Sequence, residues 1–147
     1  MKKYFPPTHF YTYLIISVLL HFIFPIKQII NTPFNYAGIV LILIGIILNI
    51  LADKIFKDQK TTVKPDQKPT SLIDYGPFRI SRNPMYLGMT LFLIGTGIFL
   101  GSIISFVGAI FFIAAMEILF IPDEEKLMSE AFGKEFENYK KKVRRWI

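Results

Sequence analysis

Four apolar runs, Phe10 to Ile30, Tyr36 to Ala52, Met85 to Leu100 and Ser102 to Ile121, occupy most of this 147-residue chain and leave little room for a soluble core. Each approaches the roughly 20 residues that a helix needs to cross about 30 Å of hydrocarbon. A composition that is 52% hydrophobic, with mean hydropathy +0.44, points the same way. The fold class expected is all-α: one polytopic integral membrane domain over residues 1–147, with about four transmembrane helices and a helical cytoplasmic tail. The third run is short, so its end at Gly101-Ser102 is expected to turn within the bilayer under the cover of neighbouring protein. The first run carries His21 and Pro25 and no small-x-small pattern follows it, so it is expected to remain as a mature helix rather than act as a cleaved signal.

Charge sets the expected orientation. Of the 17 Lys and Arg residues, Lys2 and Lys3 precede the first run. Lys54, Lys57, Lys60, Lys64, Lys68, Arg79 and Arg82 lie between the second and third runs, and Lys126 to Arg145 follow the fourth. Lys27 alone falls on the opposite side. By the positive-inside rule both termini and the middle loop face the cytoplasm, with membrane lipids as neighbours. The formal charge of +6 then reflects topology and attraction to anionic lipid, not a nucleic-acid footprint. A chain with no cysteine has no disulfide, thiolate nucleophile or Cys-ligated metal. His9 and His21, neither close to a carboxylate in sequence, do not make a zinc site, so no metal is expected.

Three parts follow along the chain. Residues 1–56 read as an amino-terminal helical hairpin, with an outer loop through Pro25, Asn31 and Pro33. Residues 57–71 form a polar linker without apolar period, expected to be mobile. Residues 72–147 hold an arginine-proline motif, a tight helical hairpin and the tail. In the tail Leu127, Ala131, Phe132, Phe136, Tyr139 and Val143 make an amphipathic stripe, interrupted at Gly133, that would lie on the membrane or pack across a site. Gly38 and Gly45, Gly88 and Gly95, and Gly108 and Ala115 each recur after seven residues, which puts each pair on one helix face; Gly97 and Gly101 form a GxxxG pair. Close helix packing is their expected role.

The motif is Gly76-Pro77-Phe78-Arg79-Ile80-Ser81-Arg82-Asn83-Pro84-Met85-Tyr86-Leu87-Gly88. Asn83 before Pro84 reads as an N-cap followed by proline at the first helical position, so the third helix should begin there. Its first turn offers unpaired backbone N–H groups and the positive end of the helix dipole to an anion such as a carboxylate or phosphate. Arg79 and Arg82 are placed to clamp that anion. A plain loop-to-helix junction, with arginines meeting lipid phosphates and Tyr86 in the aromatic belt, is the competing account.

Helix length adds a second half to this site. Positions 88 and 124 are 36 residues apart, so at about 1.5 Å per residue a hairpin makes two legs of roughly 27 Å and returns to its starting face. Glu124 and Glu125 should therefore sit near the arginines. Pro122 ends or kinks the fourth helix, and Asp123-Glu124-Glu125 forms the acidic first turn of the next. Helix-dipole compensation is the alternative account of these acids. Glu117, two turns before Glu124 and inside the apolar run, is costly to bury, so it is expected either to line an acceptor path or to pair with Arg79 or Asn49. His21 and Asn49 are expected to make interhelical hydrogen bonds.

Gly76-Pro77-Phe78, Arg82-Asn83-Pro84-Met85-Tyr86-Leu87-Gly88, Glu124-Glu125, Phe132-Gly133, Tyr139 and Arg144-Arg145-Trp146 occur in order over about Leu72 to Ile147. In this the chain resembles the isoprenylcysteine carboxyl methyltransferase family, and phospholipid N-methyltransferases carry a similar pattern. The resemblance implies a helical membrane enzyme that holds S-adenosylmethionine at the cytoplasmic face and admits a lipophilic acceptor, bearing a carboxylate, thiol or amine, from the bilayer. It assigns Arg82, Asn83, Pro84, Tyr86 and Gly88 to the cofactor wall, and Glu124 and Glu125 to cofactor hydroxyls or amine. Arg145 and Glu117 are the catalytic candidates: Tyr139, Arg144 and Arg145 would close the site or orient an acidic acceptor, with lipid headgroups as the alternative partner of Arg145, and Glu117 would line the acceptor tunnel. The family often has histidine where this chain has Asn83; asparagine cannot take a proton, so acid-base work at that position is not carried over. Two other classes compete: an NADPH-dependent reductase of membrane isoprenoids or sterols, opposed by acids that would repel a polyphosphate, and a non-catalytic membrane scaffold or binding module.

Overall fold

The computed structural model describes residues 5–24, 26–61 and 69–147. They form α1 (Pro6–Ile23), α2 (Ala37–Asp58), α3 (Pro84–Leu100), α4 (Val107–Ala115), α5 (Ile121–Phe132) and α6 (Lys134–Lys142), with a π turn, Met116–Phe120, joining α4 to α5. No strand occurs among the described residues. Two stretches, Phe34–Asp58 and Ile103–Phe132, are long and apolar enough to cross a bilayer. The other two runs give shorter helices, α1 with 18 residues and α3 with 17. The first run stops being helical at Ile23 rather than reaching Ile30, and the second continues to Asp58, taking Lys57 and Asp58 out of the expected linker. Pro25 and residues 62–68, the centre of that linker, lie outside the described residues.

Helices α2 and α3 are antiparallel and in backbone contact. A Cβ built on Gly38 would overlap the carbonyl oxygen of Gly95, and one on Gly45 would overlap that of Gly88. The two seven-residue glycine pairs are thus the two sides of one seam, in which dispersion contacts replace a hydrophobic driving force that lipid does not supply. The buried residues of α2 are Gly38, Gly45 and Ala52, all small and one heptad apart. Its large residues, among them Val40, Leu43, Ile47 and Ile50, are exposed, as suits a lipid-facing surface.

On the other side α1 packs against α4, again antiparallel. Ser17 Oγ accepts from the Gly108 amide at 3.1 Å, and Phe10 sets its ring edge-on to Phe112. Leu93, Phe112, Met116 and Ile121 form the fully buried centre.

The α3–α4 connection is roofed by protein, as its position demanded. Gly101 ends α3 with φ +77°, a left-handed conformation open to glycine. Gln28 Nε2 donates to the carbonyl oxygens of Ile30 and Leu100, Asn35 Nδ2 donates to that of Phe99, and the Ile29 amide donates to Gly101. His21 Nδ1 and Ser102 Oγ share a bond of 2.7 Å, so His21 joins the hairpin to the loop. Two expectations fail here. Gly97 makes room for the Phe106 ring and Gly101 makes a turn, so the GxxxG pair is not a helix seam. Asn49 does not reach across to a neighbouring helix: its Nδ2 bonds Gly45 O on its own helix, at 2.9 Å.

Candidate functional site

At the end of the bundle opposite that roof, the arginine-proline motif, the α5 acids and the carboxy-terminal tail converge. Gly76–Arg79 forms a 3-10 turn whose Phe78 is buried against Ala52 and Ile73. α3 then starts at Pro84 with Asn83 in the N-cap position, as its dipeptide predicts. The Asn83 side chain does not cap the helix. It donates through Nδ2 to the Arg145 carbonyl oxygen at 3.2 Å, because the tail offers that acceptor. The turn before the helix is closed by Ser81, wholly buried, whose hydroxyl accepts from the Asn83 amide at 3.1 Å and donates to Arg145 O at 2.9 Å. Sequence reasoning passed over Ser81, although a serine two residues before an Asn-Pro start is the signal of a hydroxyl-closed turn.

Pro122, early in α5, has no N–H to donate to the preceding turn. The chain answers with the π turn, and the helix continues instead of ending. Glu117 lies in that turn, Asp123 and Glu124 in the first turn of α5. The two-leg estimate holds: Tyr86 Oη, on the first turn of α3, donates to Glu124 Oε1 at 2.5 Å.

The tail closes over this pair. Gly133, with φ +50°, breaks the helix and lets α6 fold back. Phe136, Tyr139 and Val143 pack on Leu72, Met128 and Phe132, so this part of the amphipathic stripe lies against the site. Tyr139 Oη donates to the Phe78 carbonyl at 2.6 Å, and burial pushes its phenol above the ordinary range, keeping it a donor. Beyond Val143 the backbone is extended and adds to the motif, with the Arg82 amide donating to Arg144 O at 2.9 Å.

Arg145 is the hub of the charged network. Its Nε donates to Glu125 Oε1 at 2.9 Å and its Nη2 to Oε2 at 2.7 Å, a two-pronged grip; its Nη1 reaches Glu117 Oε2 at 2.9 Å. These bonds, the Glu125 ones first, raise its pKa further above the ordinary arginine range, so it stays charged. Trp146 Nε1 donates to the second Glu117 oxygen at 2.5 Å. Glu117 therefore pairs with neither Arg79 nor Asn49. Sequence reasoning gave Trp146 no part, since nothing in local spacing ties it to a residue 29 positions earlier. Arg79 is exposed and makes no clamp with Arg82.

Arg82 is the unusual member. Its side chain is 12% exposed, and its Nη1 lies 3.0 Å from Glu125 Oε1. The angle is not that of a hydrogen bond: among the described residues Nη1 and Nε are both buried without a hydrogen-bond partner. Buried donors left in that condition cost about 1–3 kcal/mol each, more when charged, a cost that the ion pair with Glu125 offsets in part and that a water or ligand would relieve.

Arg82 lines a cavity of about 450 Å³, with its Nε and Nη1 buried in the wall behind the cavity surface. Asn83, Pro84, Tyr86, Glu124 and Glu125 share its wall with Arg82, and Met85, Met89, Met128, Phe56 and Phe136 give it apolar sides. Three predicted site residues stand apart from it. Gly88 faces α2, where an added Cβ would overlap the Asn49 amide, so it serves the glycine seam and not the cavity wall. Arg145 and Glu117 sit behind Glu125 and do not line the cavity. Among the described residues no cluster of His, Asp and Glu is arranged to hold a metal.

Comparison with known proteins gives this geometry a context. A family model described as phospholipid methyltransferase matches residues 34–135. A protein of Haemophilus influenzae, itself described as uncharacterized, is 38% identical over 63 residues, which is 43% of this chain and all of that protein. Two proteins of Oryza sativa, from subspecies indica and japonica, each described as a probable protein-S-isoprenylcysteine O-methyltransferase, are 29% identical over 113 residues. That alignment covers 74% of this chain and 58% of theirs. Since the family match spans α2, α3 and the Glu124–Glu125 pair, the chain belongs to the phospholipid methyltransferase family of membrane methyltransferases.

Proposed function

We propose that this chain transfers a methyl group from S-adenosylmethionine to a lipophilic acceptor presented from the bilayer. One observation carries the reading: Arg82, whose Nε and Nη1 have no hydrogen bond among the described residues, shares a largely apolar cavity with a tyrosine-held glutamate. The residues fit the cofactor. Arg82 would take its carboxylate, Glu124 its ammonium or ribose hydroxyls, and the methionine and phenylalanine side chains its adenine. Asn83 and Pro84 shape the turn. When bound, the cofactor supplies a methyl group already activated for displacement.

What the chain adds is orientation and exclusion of water. The Tyr86 hydroxyl fixes one oxygen of Glu124, so its carboxylate is aimed before any ligand arrives. Phe136 and Tyr139 close the wall from the tail side. Glu124 also offsets positive charge in a cavity of low polarity. The acceptor belongs to the class of carboxylates, thiols or amines on a greasy body; the name of the rice relatives favours an oxygen acceptor beside a lipid-bearing cysteine. Topology completes the proposal: α1, α2, α3 and α4–α5 cross the bilayer, with the termini and the cavity on the cytoplasmic side, where the cationic residues gather.

Calorimetry of the purified protein with S-adenosylmethionine, S-adenosylhomocysteine and NADPH tests this. Binding of the first two is expected, with Arg82→Ala and Glu124→Gln each weakening it by about tenfold or more, as loss of a charged partner does. Binding of NADPH alone would replace the reading with the reductase one, and retained cofactor affinity without methyl transfer to any extracted lipid would favour a scaffold.

A further inference from the structure

We infer that Arg145 is a positioning residue that keeps Glu125 from gripping Arg82 with both oxygens and so leaves the Arg82 guanidinium able to turn to an anionic ligand; this rests on the methyl-donor site proposed above. The geometry is a competition for one carboxylate. Glu125 stands between two guanidinium groups, and an arginine next to a carboxylate ordinarily forms two parallel hydrogen bonds with it. Arg145 has taken that arrangement, with Nε and Nη2 on the two oxygens. Arg82, at 3.0 Å from one of the same oxygens, has not, and its Nε and Nη1 remain without hydrogen bonds among the described residues.

Arg145 is itself fixed from the far side. Glu117 takes its remaining Nη1, and Trp146 occupies the other Glu117 oxygen. Ser81, Arg82 and Asn83 bond the carbonyl oxygens of Arg144 and Arg145, so the arginine that wins the carboxylate and the arginine that loses it are held in one register. Arg145 does not line the cavity, so its effect on a ligand passes through Glu125.

Without Arg145, Glu125 would fork onto Arg82, and an incoming carboxylate would have to displace it. Arg145→Gln is expected to weaken S-adenosylhomocysteine binding about tenfold, the scale of losing one charge-paired contact. Adding Glu125→Gln should restore most of that loss, because a neutral amide does not compete for Arg82. A purely structural tail predicts the reverse, since removing a further contact can only add damage. Should Arg145→Gln fail to fold, Arg145→Lys keeps the charge but grips at a point and not as a fork; a smaller loss, again relieved by Glu125→Gln, is expected. Unweakened binding by the single variants, or a double variant no tighter than its single parent, overturns the assignment of Arg145. Failure of the unaltered protein to bind S-adenosylhomocysteine overturns the site reading and this inference together.

Discussion

The α2–α3 seam and the charged end of the bundle hold the molecule together by opposite means. In the seam the backbones touch because side chains are absent: Gly38 meets Gly95 and Gly45 meets Gly88, and there is no space for another carbon. At the charged end long side chains span the gaps, and Glu117, Glu125, Arg82 and Arg145 tie the π turn, α5, the motif and the tail together by ion pairs and hydrogen bonds. A seam of this kind is rigid but inert. A network of paired charges beside a cavity has groups to offer a ligand, and it leaves one of them, Arg82, incompletely bonded.

The largest effect that separates the two regions should come from Gly45→Val. Its branched side chain has nowhere to go between α2 and the Gly88 carbonyl, and overpacking of this sort costs roughly 1–3 kcal/mol or more. Thermal unfolding in detergent should shift down sharply, and cofactor binding should fall only in proportion to the folded fraction. A binding loss at a temperature where the protein is fully folded would mean that the seam is coupled to the site.

Next in size is Tyr139→Phe, which removes a buried hydroxyl that serves the Phe78 carbonyl. About 1 kcal/mol of stability should be lost, as for one buried hydrogen bond. Because Tyr139 also lines the cavity, a small rise in the cofactor dissociation constant should accompany it; a stability loss near that of Gly45→Val would show that the tail is as integral as the seam. Gly133→Ala should change cofactor binding least. An added Cβ there meets nothing within 4 Å, so the cost is to the backbone alone, from a φ of +50° with ψ −120°, and is roughly 1–3 kcal/mol of stability. A larger fall would indicate that helix α6 must move in function or folding.

The same contrast explains what could be read from the amino acids. Heptad spacing revealed the glycine pairs because each lies within an unbroken helix, where rotation per residue is constant. Tyr86 and Glu124 were brought together by adding helix lengths, which depends only on rise. Orientation about the axis was not legible past two irregularities, the π turn before α5 and the positive-φ break at Gly133. Both precede Arg145 and Trp146, and so their pairing with Glu117 was hidden. Gly97 and Gly101 were misread for a related reason: a left-handed residue at 101 ends the helix that a GxxxG seam requires. Gly88 was given to the cofactor wall by the family resemblance, whereas its face belongs to α2.

The wide turn at Met116–Phe120 bears on how length can vary in this helix. A π turn holds one residue more than an α turn over the same rotation, so α4 and α5 face their partners as though one position between them were uncounted. A relative shorter by one residue in this stretch can run as plain α-helix and still set Phe112 in the core and Glu124 beside Tyr86. Alignments that refuse a gap there would pair every acid of α5 with the wrong neighbour.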